Sequence, residues 1–244
     1  MIKAAIEKIE QMARPQTFFF GDEIYCDKKL HRIEKEMSAE PLKISTLNGL
    51  VEYLKKCKGD LKEEDPSNYF IRIDSPTVVE VVSMLNRDRE RETLVRCTAE
   101  IPRIPFEHFI DNEQMVITVQ SMFVDEPTKT DKALILKFAG TATNGSVKEY
   151  NDDGVTQKAT VRQGVASKVE AIVPSPCTLR PFRTFTEIEQ PESQFIFRMK
   201  EGREGNITSA LIEADGGAWK NKARASIKQY LEENLEGLMI PIIW

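Results

Sequence analysis

The sequence predicts an α+β fold: a mixed, mainly antiparallel sheet with packed helices, preceded by an amino-terminal helical arm. Three observations predict it. β-prone runs succeed one another through short turn signals such as Asp153-Gly154, so hairpins rather than crossover helices join the strands. Helical periodicity is confined to a few separate segments. The order along the chain is helix, strands, helices, strands, helix. Residues 1–40 read as an amino-terminal helix and arm, and residues 41–244 as a single α+β domain.

Ile2, Ile6, Ile9 and Ala13 recur at helical spacing, with Lys3, Glu7, Lys8 and Glu10 on the other side, and Pro15 ends that helix. Thr17–Phe20 and Ile24–Cys26 flank Gly21-Asp22 and predict a small hairpin. Lys28 to Pro41 is a charged connector. Thr46 is placed to cap a second helix, along which Leu47, Leu50, Val51, Leu54 and Cys57 share one face. Lys62–Asp65 reads as a solvated turn. Strands are expected at Tyr69–Ile73, Thr77–Met84 and Thr93–Ile101, the last presenting Thr93, Val95, Cys97, Ala99 and Ile101 to one side.

Asp111 can cap a helix carrying Met115, Val119, Met122 and Phe123, and Lys129–Ala139 reads as a helix antiparallel to it. Further strands are expected at Val147–Tyr150, Val155–Val161, Lys168–Val173, Cys177–Leu179, Gln194–Met199 and Ile207–Ile212. A helix from Ala218 to Leu235 turns Trp219, Ala223, Ile227, Tyr230 and Leu231 inward. The apolar tail Leu238–Trp244 is either a surface for assembly or an edge strand, with Pro241 marking the edge.

With 41% hydrophobic and 30% charged residues, the chain has globular composition. Its formal net charge of −5 argues against a dedicated duplex binder, because phosphate neutralisation calls for a basic surface. Cys26, Cys57, Cys97 and Cys177 stand far apart, which opposes a zinc clamp or a redox dithiol and predicts free thiols in a reducing cytoplasm. The amino terminus lacks the apolar core of a signal peptide, and no apolar run is long enough to span a bilayer. The expectation is a cytoplasmic protein with no membrane partner.

Catalytic signatures are sparse. The two histidines are His31, in the connector, and His108, beside Pro105-Phe106. No nucleophile elbow and no phosphate-cradling Gly-Lys loop occurs. Glu213 and Asp215 can face one way and hold a hard cation, or Asp215 can serve the turn before the last helix. Asp215-Gly216-Gly217-Ala218-Trp219 can equally offer helix amides to an anion.

The candidate site is Arg180, Arg183 and Arg198, interleaved with Phe182, Phe185, Phe195 and Phe197. Guanidinium forks hold phosphates bidentately and aromatic rings stack bases, the two elements of an anion or single-strand site. On the alternative reading, Phe195, Phe197 and Met199 are the buried face of one strand. Arg198 then lies opposite in salt bridges, and Phe182 and Phe185 are core.

The segment from Arg180 to Trp219 carries Pro181-Phe182-Arg183-Thr184-Phe185, Glu189-Gln190-Pro191-Glu192-Ser193, Phe195-Ile196-Phe197-Arg198-Met199 and Glu213-Ala214-Asp215-Gly216-Gly217-Ala218-Trp219. With Asp152-Asp153-Gly154-Val155-Thr156-Gln157 upstream, it resembles the YfdQ-like family of phage and prophage proteins. The likeness is dense over roughly the last hundred residues and faint over the first hundred. It implies a phage origin and a bacterial host cytoplasm, and it carries no catalytic residue.

The expectation from these readings is a non-enzymatic phage or prophage accessory protein that binds as a homo-oligomer, with no cofactor. The alternatives are a single-stranded nucleic-acid binding or annealing factor, or a protein that sequesters a small nucleotide signal in anti-defence; the partners expected are a second copy and a single-stranded nucleic acid, a nucleotide or a host protein.

Overall fold

The computed structural model describes residues 2–21, 23–28, 38–61, 68–86, 89–126, 130–143, 147–152, 157–163, 167–172, 175–201 and 206–244. Most of the charged connector with His31, the turn at Lys62–Asp65 and the Asp153-Gly154 dipeptide lie outside the described residues. The chain divides into two units, Met1–Ser38 and Ala39–Trp244.

The first unit is a helix and a hairpin. Helix α1 (Ile2–Ala13) ends where Lys28 donates from Nζ to the carbonyls of Met12 and Ala13, at 3.0 and 2.7 Å, satisfying acceptors that the last turn leaves open. Strands β1 (Thr17–Phe20) and β2 (Glu23–Cys26) pair antiparallel, with Phe18 opposite Tyr25 and Phe19 opposite Ile24. The amphipathic stripe expected of α1 is present, and none of its residues is buried.

The second unit has the α+β make-up expected, helices packed on mixed, mostly antiparallel strands, and its described strands divide among three separate sheets. The five-stranded and four-stranded sheets each bury one apolar face against their own helices. The five-stranded sheet contains β3 (Leu42–Ile44), β4 (Tyr69–Ser75), β5 (Val78–Ser83), β6 (Thr93–Thr98) and, from the tail, a strand at Ile242–Ile243. Its central pairs are antiparallel, and its two edge pairs are parallel. Ile71, Ile73, Val79, Val81, Val95 and Cys97 form its buried face. Helix α2 (Leu47–Lys56) covers that face with Leu47, Leu50 and Leu54. Thr46 caps α2 as expected, accepting from the Gly49 amide at 3.1 Å.

The outer face of this sheet carries one charged row. Lys43, Arg96, Glu80 and Arg72 stand in register across β3, β6, β5 and β4. Glu80 is buried and bridges the two half-exposed arginines. The β6 strand stops at Thr98, short of the expected Ile101, which is exposed.

Beyond it come β7 (Ile110–Asp111), α3 (Asn112–Met122) and α4 (Lys132–Thr143). Asp111 caps α3, accepting from Gln114 N at 2.9 Å. Buried Lys132 closes the other end of α3, donating to the carbonyls of Phe123 and Gln120. Strands β8 (Val147–Asp152), β9 (Gln157–Gln163) and β10 (Ser167–Ile172) form an antiparallel three-stranded sheet. The last sheet orders β11 (Cys177–Leu179), β12 (Ser193–Glu201), β13 (Ile207–Glu213) and β7, all antiparallel. Its inner face, Cys177, Leu179, Phe195, Phe197, Met199 and Leu211, packs with Met115, Val119 and Phe123 of the α3 region and Ile135 and Phe138 of α4.

Helix α5 (Trp219–Asn234) returns to the first core with Ile227 and Leu231. The tail then forms β14 (Ile242–Ile243), parallel to β4, with the Pro241 carbonyl accepting from Ile71 N at 2.8 Å. Of the two readings of the tail, the edge strand is the one observed.

All four cysteines are free. Burial pushes the Cys97 and Cys177 thiols up to about 12, with Glu187 and Asp131 respectively adding to the shift. Alkylation of the native protein with iodoacetamide should therefore modify exposed Cys57 first and half-buried Cys26 more slowly. Cys97 and Cys177 should react only after denaturation, to a total of four. Peptide mapping that found either buried cysteine modified as fast as Cys57 would contradict this packing.

Candidate functional site

The segment between β11 and β12 carries two of the three candidate arginines, and its shape is set by one glutamine. Buried Gln190 accepts from the amides of Arg183 and Thr184 at 3.0 and 3.3 Å, and donates from Nε2 to the Phe185 carbonyl at 2.9 Å. Its backbone carbonyl accepts from Arg180 Nε at 2.8 Å. Pro181 bridges to Phe123 at the end of α3, so the segment starts on the second core. Phe185 and Ile188 then insert into the first core.

Arg180 is 4% exposed and uses its whole fork internally. Its Nη atoms pair with Glu126 and Glu189. Burial alone lowers its pKa, but the two carboxylates outweigh that and hold it above the ordinary arginine value. It lines a depression of about 300 Å³ with Glu189, Glu192 and Lys222.

Arg183, also 4% exposed, sits elsewhere. Its Nη1 donates to Glu213 Oε1 at 2.6 Å, its Nη2 to the Ser193 hydroxyl, and its guanidinium carbon lies 3.9 Å from the centre of the Trp219 ring. Phe195 is 5.7 Å away on the same measure. Burial pushes Arg183 down to about 10, against the pull of Glu213 and Asp215, and it remains a cation at neutral pH.

Ser193 passes the network on, donating to Asp215 Oδ2 at 2.7 Å. Asp215 also accepts from Gly217 N at 3.0 Å and Trp219 N at 3.4 Å, across a turn in which Gly216 and Gly217 both take positive φ. The helix amides considered for an external anion are thus partly occupied by the chain's own carboxylate. Glu213 and Asp215 are likewise committed, and among the described residues no cluster of metal-ligating side chains occurs.

Arg198 lies on the other face of β12, opposite Ala210, while Ser193, Phe195 and Phe197 face inward. The three arginines therefore do not converge on one surface. Phe185, Phe195 and Phe197 are core, as the structural reading of the segment had it. Phe182 is not; it is half-buried in the wall of a cleft. His108 is exposed, with Nδ1 2.8 Å from the Phe106 carbonyl, and His31 lies outside the described residues.

That cleft is the feature the sequence did not disclose. It has a volume of about 360 Å³, and Arg183, Trp219, Phe106, Phe182, Arg103 and Lys220 are among the residues lining it. Behind that lining, Arg183 Nε and Trp219 Nε1 are sealed from solvent without a hydrogen-bond partner among the described residues. Leaving such a group unpaired costs about 1–3 kcal/mol. The aromatic residues could be counted in the sequence, but only the fold brings Arg103, Arg183 and Lys220 together from three distant segments. Compared with known proteins, the chain matches no family model, no curated protein and no solved structure.

Two outcomes follow for stability. Arg183→Gln should lower it by about 3 kcal/mol, the lower end of the range for breaking a buried pair, since Glu213 can rehydrate in part. Arg180→Gln should cost less, about 1–3 kcal/mol, because its partner Glu189 is largely exposed. Denaturant titration with Arg183→Gln matching the wild type would contradict the bracing geometry.

Asp215 gives the pH arm. Burial raises its carboxyl, but the Ser193 hydroxyl, the Gly217 and Trp219 amides and Arg183 together bring it below the ordinary value. A depressed carboxyl contributes stability above its unfolded pKa of about 4 and loses it as pH falls below. The stability gap between wild type and Asp215→Asn should therefore shrink as pH is taken from about 5 to about 2. A gap that stayed constant would remove the assignment.

Proposed function

We propose that this chain is a non-enzymatic accessory protein that acts by binding and works as a homo-oligomer assembled through its amino-terminal unit. The observation that carries the reading is the exposed apolar surface of that unit. Ile2, Ile6, Ile9 and Met12 on α1 and Phe18, Phe19, Phe20 and Ile24 on the hairpin are all roughly half or more exposed. A two-stranded ribbon is at best marginally stable alone, and so many exposed large apolar side chains mark a unit made to be covered.

A second copy is the occupant that fits. The polar side of α1 alternates Lys3, Glu7, Lys8 and Glu10, so two such helices complement each other in charge, whereas an anionic lipid surface would call for a basic face. Binding rather than catalysis is supported by how the reactive groups are used. Ser193 is held between Arg183 and Asp215, and burial keeps the Cys97 and Cys177 thiols protonated at neutral pH. The phage or prophage setting, and with it a bacterial cytoplasm, rests on the resemblance of the Arg180–Trp219 segment to the YfdQ-like family. No described helix is long and apolar enough to cross a membrane.

Binding of a nucleotide or a single strand is the second reading, and the cationic, ring-lined cleft favours it. Light scattering on the purified full chain should return a multiple of the protomer mass at micromolar concentration. Ile6→Asp and Phe19→Asp should each lower that mass and leave the melting temperature of the Ala39–Trp244 unit unchanged. A monomer mass for the wild type ends the assembly reading.

A further inference from the structure

We propose that the cleft between Phe106, Phe182 and Trp219 is a binding site for a single nucleotide unit: a planar ring joined to a phosphate. Three features of the cleft select that chemistry. Its volume, about 360 Å³, lies at the lower end of the roughly 300–1,000 Å³ of small-molecule sites, enough for one nucleotide and not for a chain of them. Its walls are ring-bearing and apolar, which suits a base. Its exposed cations, Arg103 and Lys220, stand where a phosphate can reach them from the solvent side.

The charge balance of the lining supports an anion. Arg103, Arg183 and Lys220 face one carboxylate, Glu213, and that carboxylate is already engaged by Arg183 at 2.6 Å. The Arg183–Trp219 stack at 3.9 Å fixes that wall of the cleft before any ligand arrives, so little ordering remains to be done on binding. No comparable set occurs at Arg180, whose fork is filled by Glu126, Glu189 and the Gln190 carbonyl.

This names a ligand for the binding role above, yet the cleft lies within the Ala39–Trp244 unit and does not depend on assembly. A protein that proved monomeric would still be expected to bind. The chain has two tryptophans, so Trp244→Phe leaves Trp219 as the only indole reporter. In that background, titration with each of the four ribonucleoside monophosphates should change the fluorescence saturably for at least one, below about 1 mM. The matching nucleoside and inorganic phosphate should each bind more weakly, because each supplies only one half of the ligand. Arg103→Gln and Lys220→Gln change exposed side chains and should fold normally. Each should weaken binding by roughly three- to ten-fold, and added salt should weaken it further.

The proposal is overturned if no monophosphate gives a saturable change. It is equally overturned if inorganic phosphate alone binds as tightly as the nucleotide, or if the two variants bind as well as the wild type. A single-stranded oligonucleotide that binds where no mononucleotide does would replace the pocket with a strand-binding surface.

Discussion

The stitching of residues 180–190 by Gln190 is the interaction on which the second unit depends. One side chain closes four hydrogen bonds to a single loop, counting those at Phe185 and Ile188, and its backbone carbonyl takes a fifth from Arg180. The loop leaves the second core at Leu179, lodges Phe185 and Ile188 in the first, and returns at Phe195. Thr184 adds a bond from its hydroxyl to the Pro76 carbonyl, at the turn between β4 and β5. Two sheets with separate helical covers are coupled through this short connection, and a buried amide satisfied on all sides is costly to replace with any other residue.

Around that loop the protein spends buried charge. Arg180 and Arg183 are each enclosed, and each is matched by carboxylates that are themselves partly wet. The arrangement keeps most of the Coulomb attraction while sparing the acids full desolvation. Glu80 does the reverse on the outer sheet face, an enclosed carboxylate between two half-exposed arginines. The network Arg183–Ser193–Asp215 then fixes the start of α5, and through it the position of Trp219. The cleft is in this sense a by-product of the bracing: the same stack that holds the arginine sets the wall.

Much of this was legible in the sequence, and the limits have physical causes. Thr46 and Asp111 were readable as caps because a cap is a local bond between a side chain and an amide three residues on. Phe195, Phe197 and Met199 were readable as one buried face because strand periodicity is strict. The division into separate sheets was not, since nothing local says which strand pairs with which. The arginines looked like one cluster because they are close in number; β12 turns Arg198 away from Ser193 and Phe195, and the loop sends Arg180 and Arg183 into different surroundings. The cleft was the least visible feature, because Arg103, Arg183 and Lys220 meet only after two cores have formed.

The parallel pairing of β14 with β4 has a consequence for biosynthesis. Ile71 waits for Ile242, a partner roughly 170 residues downstream. At roughly 5–20 residues per second, the ribosome needs on the order of ten seconds or more to supply it. For that interval one margin of the five-stranded sheet presents bare amides and carbonyls on a nascent chain, the arrangement that invites strand exchange between neighbours on a polysome.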